Sequence, residues 1–332
     1  MIGKPPSPPG PWRSVPVGSG RALSLMSWLL ARLPLGLARL LALPVVWAWF
    51  QHWNHPRICV IRAMRRLGAP SPYWAAWRVF DAYGVHLLER HYLFAGRAQA
   101  QLEPDPEGRA ALDAAIASGR PTVLLGSHAG ALELAGLLLG PTGRSIVAVT
   151  ARDSGAGRLL RLVGDPAVGL GSMHTIVADG TARSGLAMLQ AVKAGRLLGI
   201  KADRPLPGTP AEQTVVVPLL GEDAPLPLGP ARLARAVQAR VIAVSVVRTG
   251  PLRYRILSEE LPSQGPPEDL VAAYAQAVCK HAAAYPDQWF NFHPLWASDR
   301  AALAGVPVTV PLGLRAAGRG LARGTLWGLT LL

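Results

Sequence analysis

Lysine is nearly missing from this chain. It stands only at positions 4, 193, 201 and 280, although 34 basic residues face 20 acidic ones. Arginine therefore supplies almost all of a net charge of +14 over 332 residues. With no Lys/Arg block, no zinc-finger spacing and no RNA-recognition aromatic motif, nucleic acid is excluded as the expected partner. Cysteine is as scarce. Cys59 and Cys279 lie far apart with no C-x-x-C, so the pair reads as thiols of a reducing compartment, with a single disulfide left open. Four catalytic signatures are absent: G-x-S-x-G, H-E-x-x-H, G-x-x-x-x-G-K-[ST] and a strand-linked G-x-G-x-x-G. Their absence removes the serine nucleophile elbow, the zincins, the P-loop enzymes and the dinucleotide-binding folds. No metal site and no cofactor is expected. His128 and Glu133 alone would need further ligands at spacings that the chain does not offer.

An uninterrupted apolar run long enough for a clean transmembrane helix, about 20 residues, is also wanting. Residues 21–53 are strongly apolar but are broken by Arg32, Pro34, Arg39 and Pro44. No small-residue cleavage site follows, so a signal peptide is not expected. Arg32 and Arg39 stand one heptad apart and can snorkel from one face while Leu and Trp insert. This segment reads as a tilted anchor or two interfacial helices, with a buried helical hairpin as the alternative.

What is present is apolar bulk. Half of the residues are hydrophobic, with a mean hydropathy of +0.24, which suits a large core and, with the positive charge, an anionic membrane surface or an acidic protein. The chain divides into a Pro/Gly-rich tail at 1–20, membrane-associated helices at 21–56, a main domain at 57–300 and a Gly/Arg-rich tail at 301–332. Residues 57–95 read as helices, with Trp74, Trp77, Phe80, Tyr83 and Leu87 as a core stripe. From about 105, strands at 121–126, 145–150, 174–178, 196–201, 214–220, 240–248 and 253–258 alternate with helices at 107–118, 131–139, 155–163, 181–194, 229–238 and 267–284. That alternation predicts an α/β fold, a mostly parallel sheet flanked by helices.

Strand 121–126 runs into Gly126, Ser127 and His128, and ligands of such sheets sit beyond the carboxyl ends of the strands. Five positions on comes Glu133. A five-residue step in a regular helix leaves two side chains far apart. They converge if His128 lies on the turn before a helix and Glu133 in its first turns, with Gly130 easing the turn. Glu133 would then accept the Nδ1 proton and leave Nε2 as a general base. The competing reading is a core histidine and a solvated glutamate. His86, His91 and His174 have no catalytic context.

"LLGSHAGALELA" resembles the H-x4-D/E motif of glycerolipid-type acyltransferases and, in their bacterial branch, is similar to the late lipid A (lauroyl/myristoyl) acyltransferase family. Four further blocks resemble that family in order: "VTARDSG", "AMLQAVKAGRLLGIKADRPLPG", "TVVVPLLGEDAPLPLGPARLARAVQARVIAVSVVR" and "YPDQWFNFHPLW". The resemblance implies an O-acyltransferase that moves a fatty acyl chain from an acyl thioester, on acyl carrier protein or acyl-CoA, to a hydroxyl of a lipid or glycolipid acceptor. It implies work at the cytoplasmic face of a bacterial inner membrane. His128 becomes the base and Glu133 its orienter. Arg152 and Arg204 become candidates for the oxyanion or for substrate phosphates, and Gly221, in a glycine turn, a substrate-binding candidate. Asp203 is counted with the substrate-binding set, as a residue fixing a loop rather than doing chemistry. His293 is expected to pack between Trp289 and Trp296. Ala131 and Leu132 stand where the family commonly carries Asn and an aromatic, and Arg204 stands where it carries Gln. A catalytically inactive lipid-binding protein of the same fold is the alternative.

Overall fold

A computed structural model describes residues 32–103, 106–135, 144–151, 174–206 and 208–310. Three helices open it: α1 (Leu35–His52), α2 (Asn54–Arg66) and α3 (Pro72–Phe94). Then follow β1 (Gln101–Leu102), α4 (Pro106–Ala117), β2 (Thr122–Gly130), β3 (Ile146–Ala151), β4 (His174–Ala178), α5 (Ala182–Lys193) and β5 (Leu197–Lys201). The chain continues with β6 (Thr214–Leu219), β7 (Glu222–Pro227), α6 (Gly229–Ala236), β8 (Arg240–Gly250), β9 (Arg253–Leu261), α7 (Pro267–Ala284) and α8 (Ala297–Leu303).

Seven strands form one sheet in the order β1-β9-β8-β2-β5-β3-β4, and only the β8–β9 pair is antiparallel. The fold is thus α/β with a mostly parallel sheet, as the alternation of periods predicts. Both faces are covered, which is why the central strands read as near-continuous apolar runs. Val123, Leu125, Val241 and Ala243 enter one core with Tyr274 and Val278 of α7. Leu124, Ile242 and Val244 point the other way, toward Leu112 and Ala115 of α4. That alternation is the two-residue period of a strand.

Several elements differ from expectation. After Gly126 the chain stays extended to Gly130 instead of turning at once, and a 3₁₀ turn, Leu132–Leu134, then leads to Ala135, which is helical. The rest of the expected helix 131–139 lies outside the described residues, as do helix 155–163, the 1–20 tail and most of the 301–332 tail. β6 does not lead straight to a helix but folds back on β7. The hairpin turn holds Leu220 and Gly221 at φ of 51° and 80°, the two positive values that a two-residue hairpin loop requires. Residues 306–310 run against the α1–α2 junction, where Asn54 N–H donates to Val308 O at 3.0 Å and Val310 N–H to His52 O at 2.8 Å.

The helical layer sits over one end of the sheet. α1 buries Ala38, Val46 and Phe50 against α3. Gly84 of α3 permits the approach, since a Cβ there would lie 2.6 Å from Val46 Cγ2. The expected aromatic stripe is only partly core: Phe80 is buried, but Trp74 is 55% exposed and stacks on Trp47. The outer side of α1 leaves Leu37, Leu40, Leu41, Leu43 and Val45 exposed. Among the described residues no helix is long and apolar enough to cross a membrane.

Candidate active site

β2 and β5 are parallel neighbours with Gly126 opposite Lys201. Two residues beyond that pair, the two strands deliver His128 and Asp203, so strand register alone brings them level. Ala202 N–H donates to Gly126 O at 2.9 Å and carries the pairing past the end of β5. On its other side β2 bulges: four steps along the chain from Gly126 to Gly130 are set against two along β8, Val244 to Val246. Such bulges re-aim side chains at sheet edges. Gly130 makes this one possible, with φ +69° and a position where a Cβ would lie 1.9 Å from Val246 O.

The imidazole is held firmly. His128 Nδ1 lies 2.6 Å from Asp203 Oδ1, and the backbone N–H of His128 donates to Asp203 Oδ2 at 2.8 Å. Trp289 Nε1–H donates to the same Oδ2 at 3.2 Å. The segment carrying Trp289 also grips the bulge, through an Ala129–Trp289 bridge and a 2.8 Å hydrogen bond from Phe290 N–H to His128 O. Trp289 packs edge to face on Trp296, ring centroids 5.9 Å apart. The block "YPDQWFNFHPLW" thus acts partly as a clamp on His128 and Asp203.

Charge follows from this geometry. Burial lowers the His128 pKa to about 4, Arg204 and more weakly Lys201 push the same way, and Asp203 opposes them. The ring is therefore neutral near pH 7, with the Nδ1 proton donated to Asp203 and the lone pair on Nε2. Burial alone would raise Asp203, but its bonds to His128 and the nearby Arg204 hold it well below the usual carboxylate range. Arg204 is itself half-buried, its pKa lowered by desolvation and supported by Asp203 and Tyr83.

Glu133 is elsewhere. The expected Glu133–His128 bond is not formed, and Asp203 takes its place; the role given to Asp203 in the sequence reading, a loop-fixing residue, is too small. Because the chain stays extended through Gly130, Glu133 turns toward α3. There its Oε1 meets His86 Nε2 at 2.7 Å and Arg90 Nη1 at 2.8 Å, and its Oε2 meets Lys201 Nζ at 3.2 Å. Burial would raise this carboxyl, but Lys201, His86 and Arg90 hold it well below its ordinary value. His86, set aside as lacking context, is therefore part of the site's ionic scaffold. His86 and Arg90 are i and i+4 on one helix face, a signal that was open to view. Gly221 has a conformational task in the β6–β7 turn, where Trp296 Nε1–H donates to Leu219 O and Glu222 O at 3.2 Å; no described contact ties it to His128. Arg152 lies outside the described residues.

A cavity of about 330 Å³ opens beside the Glu133 cluster, lined in part by Arg39, Arg78, His86, Arg248 and Phe290. His128 is not among its lining residues, so this hollow is not where His128 lies. Among the described residues no cluster of three or more His, Cys, Asp or Glu is placed to hold a metal ion.

A buried acid holding a neutral histidine at the carboxyl edge of a parallel sheet is an arrangement able to accept a proton. Residues 79–298 match the model of the bacterial lipid A biosynthesis acyltransferase family, and the chain belongs to that family. It is an acyltransferase of lipid A biosynthesis type. Among curated proteins none matches the chain.

Proposed function

We propose that the protein transfers a fatty acyl chain from an acyl thioester, probed first as the acyl carrier protein conjugate, to a hydroxyl of a membrane-embedded lipid acceptor, with His128 as general base and Asp203 as its orienting acid. The observation that carries this reading is the 2.6 Å contact between His128 Nδ1 and Asp203 Oδ1. It fixes the tautomer and leaves Nε2 as the basic atom. Nε2 takes the proton of the acceptor hydroxyl while the oxygen attacks the thioester carbonyl. The tetrahedral oxyanion collapses with cleavage of the C–S bond, and the departing thiolate takes the proton back from Nε2–H. Arg204, whose charge acts on His128, would favour negative charge developing there. Arg152 is assigned to the same oxyanion or to substrate phosphate.

Two features support a site at the cytoplasmic face of the inner membrane. The exposed leucines of α1 and Trp74 offer an apolar face to lipid, of the kind that interfacial helices use. A net charge of +14 suits both an anionic lipid surface and an acidic carrier protein.

His128→Ala tests the assignment. Loss of a general base costs roughly 10²–10⁴-fold in rate, read as acyl transfer from a labelled thioester to extracted lipid. Turnover within a few-fold of the wild type would remove His128 from the mechanism.

A further inference from the structure

We propose that Lys201 supplies the positive charge against which the thioester carbonyl oxygen becomes an oxyanion, and that Glu133 is the positioning residue that aims it. The inference rests on the general-base reading above.

Lys201 ends β5 directly opposite Gly126, two residues short of Asp203 on its own strand and diagonal to His128 on the neighbouring one. With strands about 4.8 Å apart and a rise of about 3.3 Å per residue, that diagonal is within the reach of a lysine side chain. The ammonium does not float free: its Nζ is 3.2 Å from Glu133 Oε2, with the side chain 32% exposed. Lys280, by contrast, pairs with Glu259 on a side chain that is 72% exposed. In a chain that uses arginine almost everywhere, a compact ammonium on a flexible stem occupies the strand end next to the base. A point charge of that kind can follow a carbonyl oxygen as it changes from planar to tetrahedral geometry.

The local charges make the same case. His128 is neutral, and Asp203 is balanced by Arg204. Glu133 faces two fixed cations, Arg90 on α3 and Lys201 on β5, besides His86, whose burial lowers its pKa and favours the neutral ring. One positive charge is thus left over next to the base. During transfer His128 Nε2 gains the hydroxyl proton, the new C–O bond forms, and the carbonyl π pair moves onto oxygen as one negative charge. The imidazolium formed in the same step lies against Asp203, and the oxyanion is the charge that the ammonium would meet. Glu133 bonds to no atom of His128, so its influence on the reaction passes through the ammonium that it holds.

The test is acyl-transfer kinetics on the full-length wild type, Lys201→Met, Lys201→Arg, Glu133→Gln and the Lys201→Met/Glu133→Gln double variant, with an acyl carrier protein thioester as donor. Lys201→Met should lower kcat by ~10²-fold, the scale of one lost oxyanion donor, with the donor KM changed less than threefold. Lys201→Arg should recover about a tenth or more of the wild-type kcat, because charge is retained. Glu133→Gln should cost about tenfold, and the double variant should be no slower than Lys201→Met alone. Removing the ammonium should also shift the acid limb of kcat/KM upward, because Lys201 is one of the cations depressing His128; the other groups facing the base are Asp203, Arg204 and the Trp289–Phe290 segment, with Tyr83, His86 and Arg90 behind. A Lys201→Met enzyme with kcat within twofold of the wild type overturns the proposal, as does a Glu133→Gln factor that persists undiminished on the Lys201→Met background. Either result alongside a dead His128→Ala enzyme leaves the general-base reading standing, whereas an active His128→Ala enzyme removes both. Lys201 is partly exposed, so its variants test the idea even if Glu133→Gln fails to fold.

Discussion

Two regions beside His128 each hold a carboxylate, and they use it in opposite ways. After β5, Asp203 is 3% exposed and spends its oxygens on His128 twice and on Trp289 once. After β2, Glu133 turns its oxygens to three nitrogens drawn from α3 and β5. Asp203 is 75 residues from His128 in sequence, and Glu133 only five. Closeness along the chain lost to strand register. A parallel pair levels the residues that follow its last rung, whereas a five-residue step converges only through a tight turn into a helix, and β2 runs past that point.

Neutralising each carboxylate in turn should separate the two regions most widely. Asp203→Asn should lower kcat by roughly 10²–10⁴-fold, because an amide that presents N–H toward Nδ1 no longer selects the tautomer with a basic Nε2. Glu133→Gln, as argued above, should cost about tenfold. Steady-state acyl transfer on both variants, with circular dichroism to confirm folding, decides the matter. If Glu133→Gln proves the more damaging, the roles of the two regions are reversed.

Acid sharpens the same contrast. The His128 pKa is lowered to about 4 in the folded protein, against about 6.5 when unfolded. As pH falls from about 6.5 toward 4, the unfolded chain takes up this proton first, so stability is lost across that window and is fully present above it. The loss is on the order of 3 kcal/mol and should appear as the difference in pH dependence between wild type and His128→Ala in urea unfolding. The two depressed carboxyls, Asp203 and Glu133, act lower. Their contribution is present above their unfolded values near 4 and fades as pH drops through their folded ones, so Glu133→Gln should leave the difference above pH 4.5 unaltered. An identical slope in wild type and His128→Ala would mean that His128 is not held neutral.

Much of this was legible in the residues. Apolar runs of strand length alternating with helical periods specify the sheet, and α7 falls on the expected residues, Pro267–Ala284. The place of His128 was legible too, since a histidine ending an apolar strand stands where parallel sheets present ligands. Its partner was not, because register between strands 75 residues apart leaves no local signature, and Asp203 reads in isolation as a loop residue. The β6–β7 hairpin was hidden by Pro225 and Pro227 in the second strand, which a two-stranded ribbon tolerates because its outer edges need no ladder partner. The extension of β2 past Gly126 was hidden because the bulge there is fixed by Val246 of another strand, which no spacing within β2 could announce.

The finest comparison concerns what supports each acid rather than the acid itself. Trp289 gives Asp203 a single N–H at 3.2 Å, while its ring packs against Trp296 in the core. Trp289→Phe keeps most of that apolar contact and removes the donor. A hydrogen bond to a charged group is worth about 1.5–3 kcal/mol, and at 3.2 Å the lower end applies. The variant should therefore lose about 1.5 kcal/mol of stability, with kcat falling about tenfold at most, since Asp203 keeps both of its bonds to His128. The acid limb of kcat/KM should barely move, because the two bonds that tie Asp203 to the imidazole are intact. Were Trp289→Phe as slow as Asp203→Asn, the indole would be what aligns the acid, and the two carboxylate regions would differ less in what they do for the base than in how the core holds them.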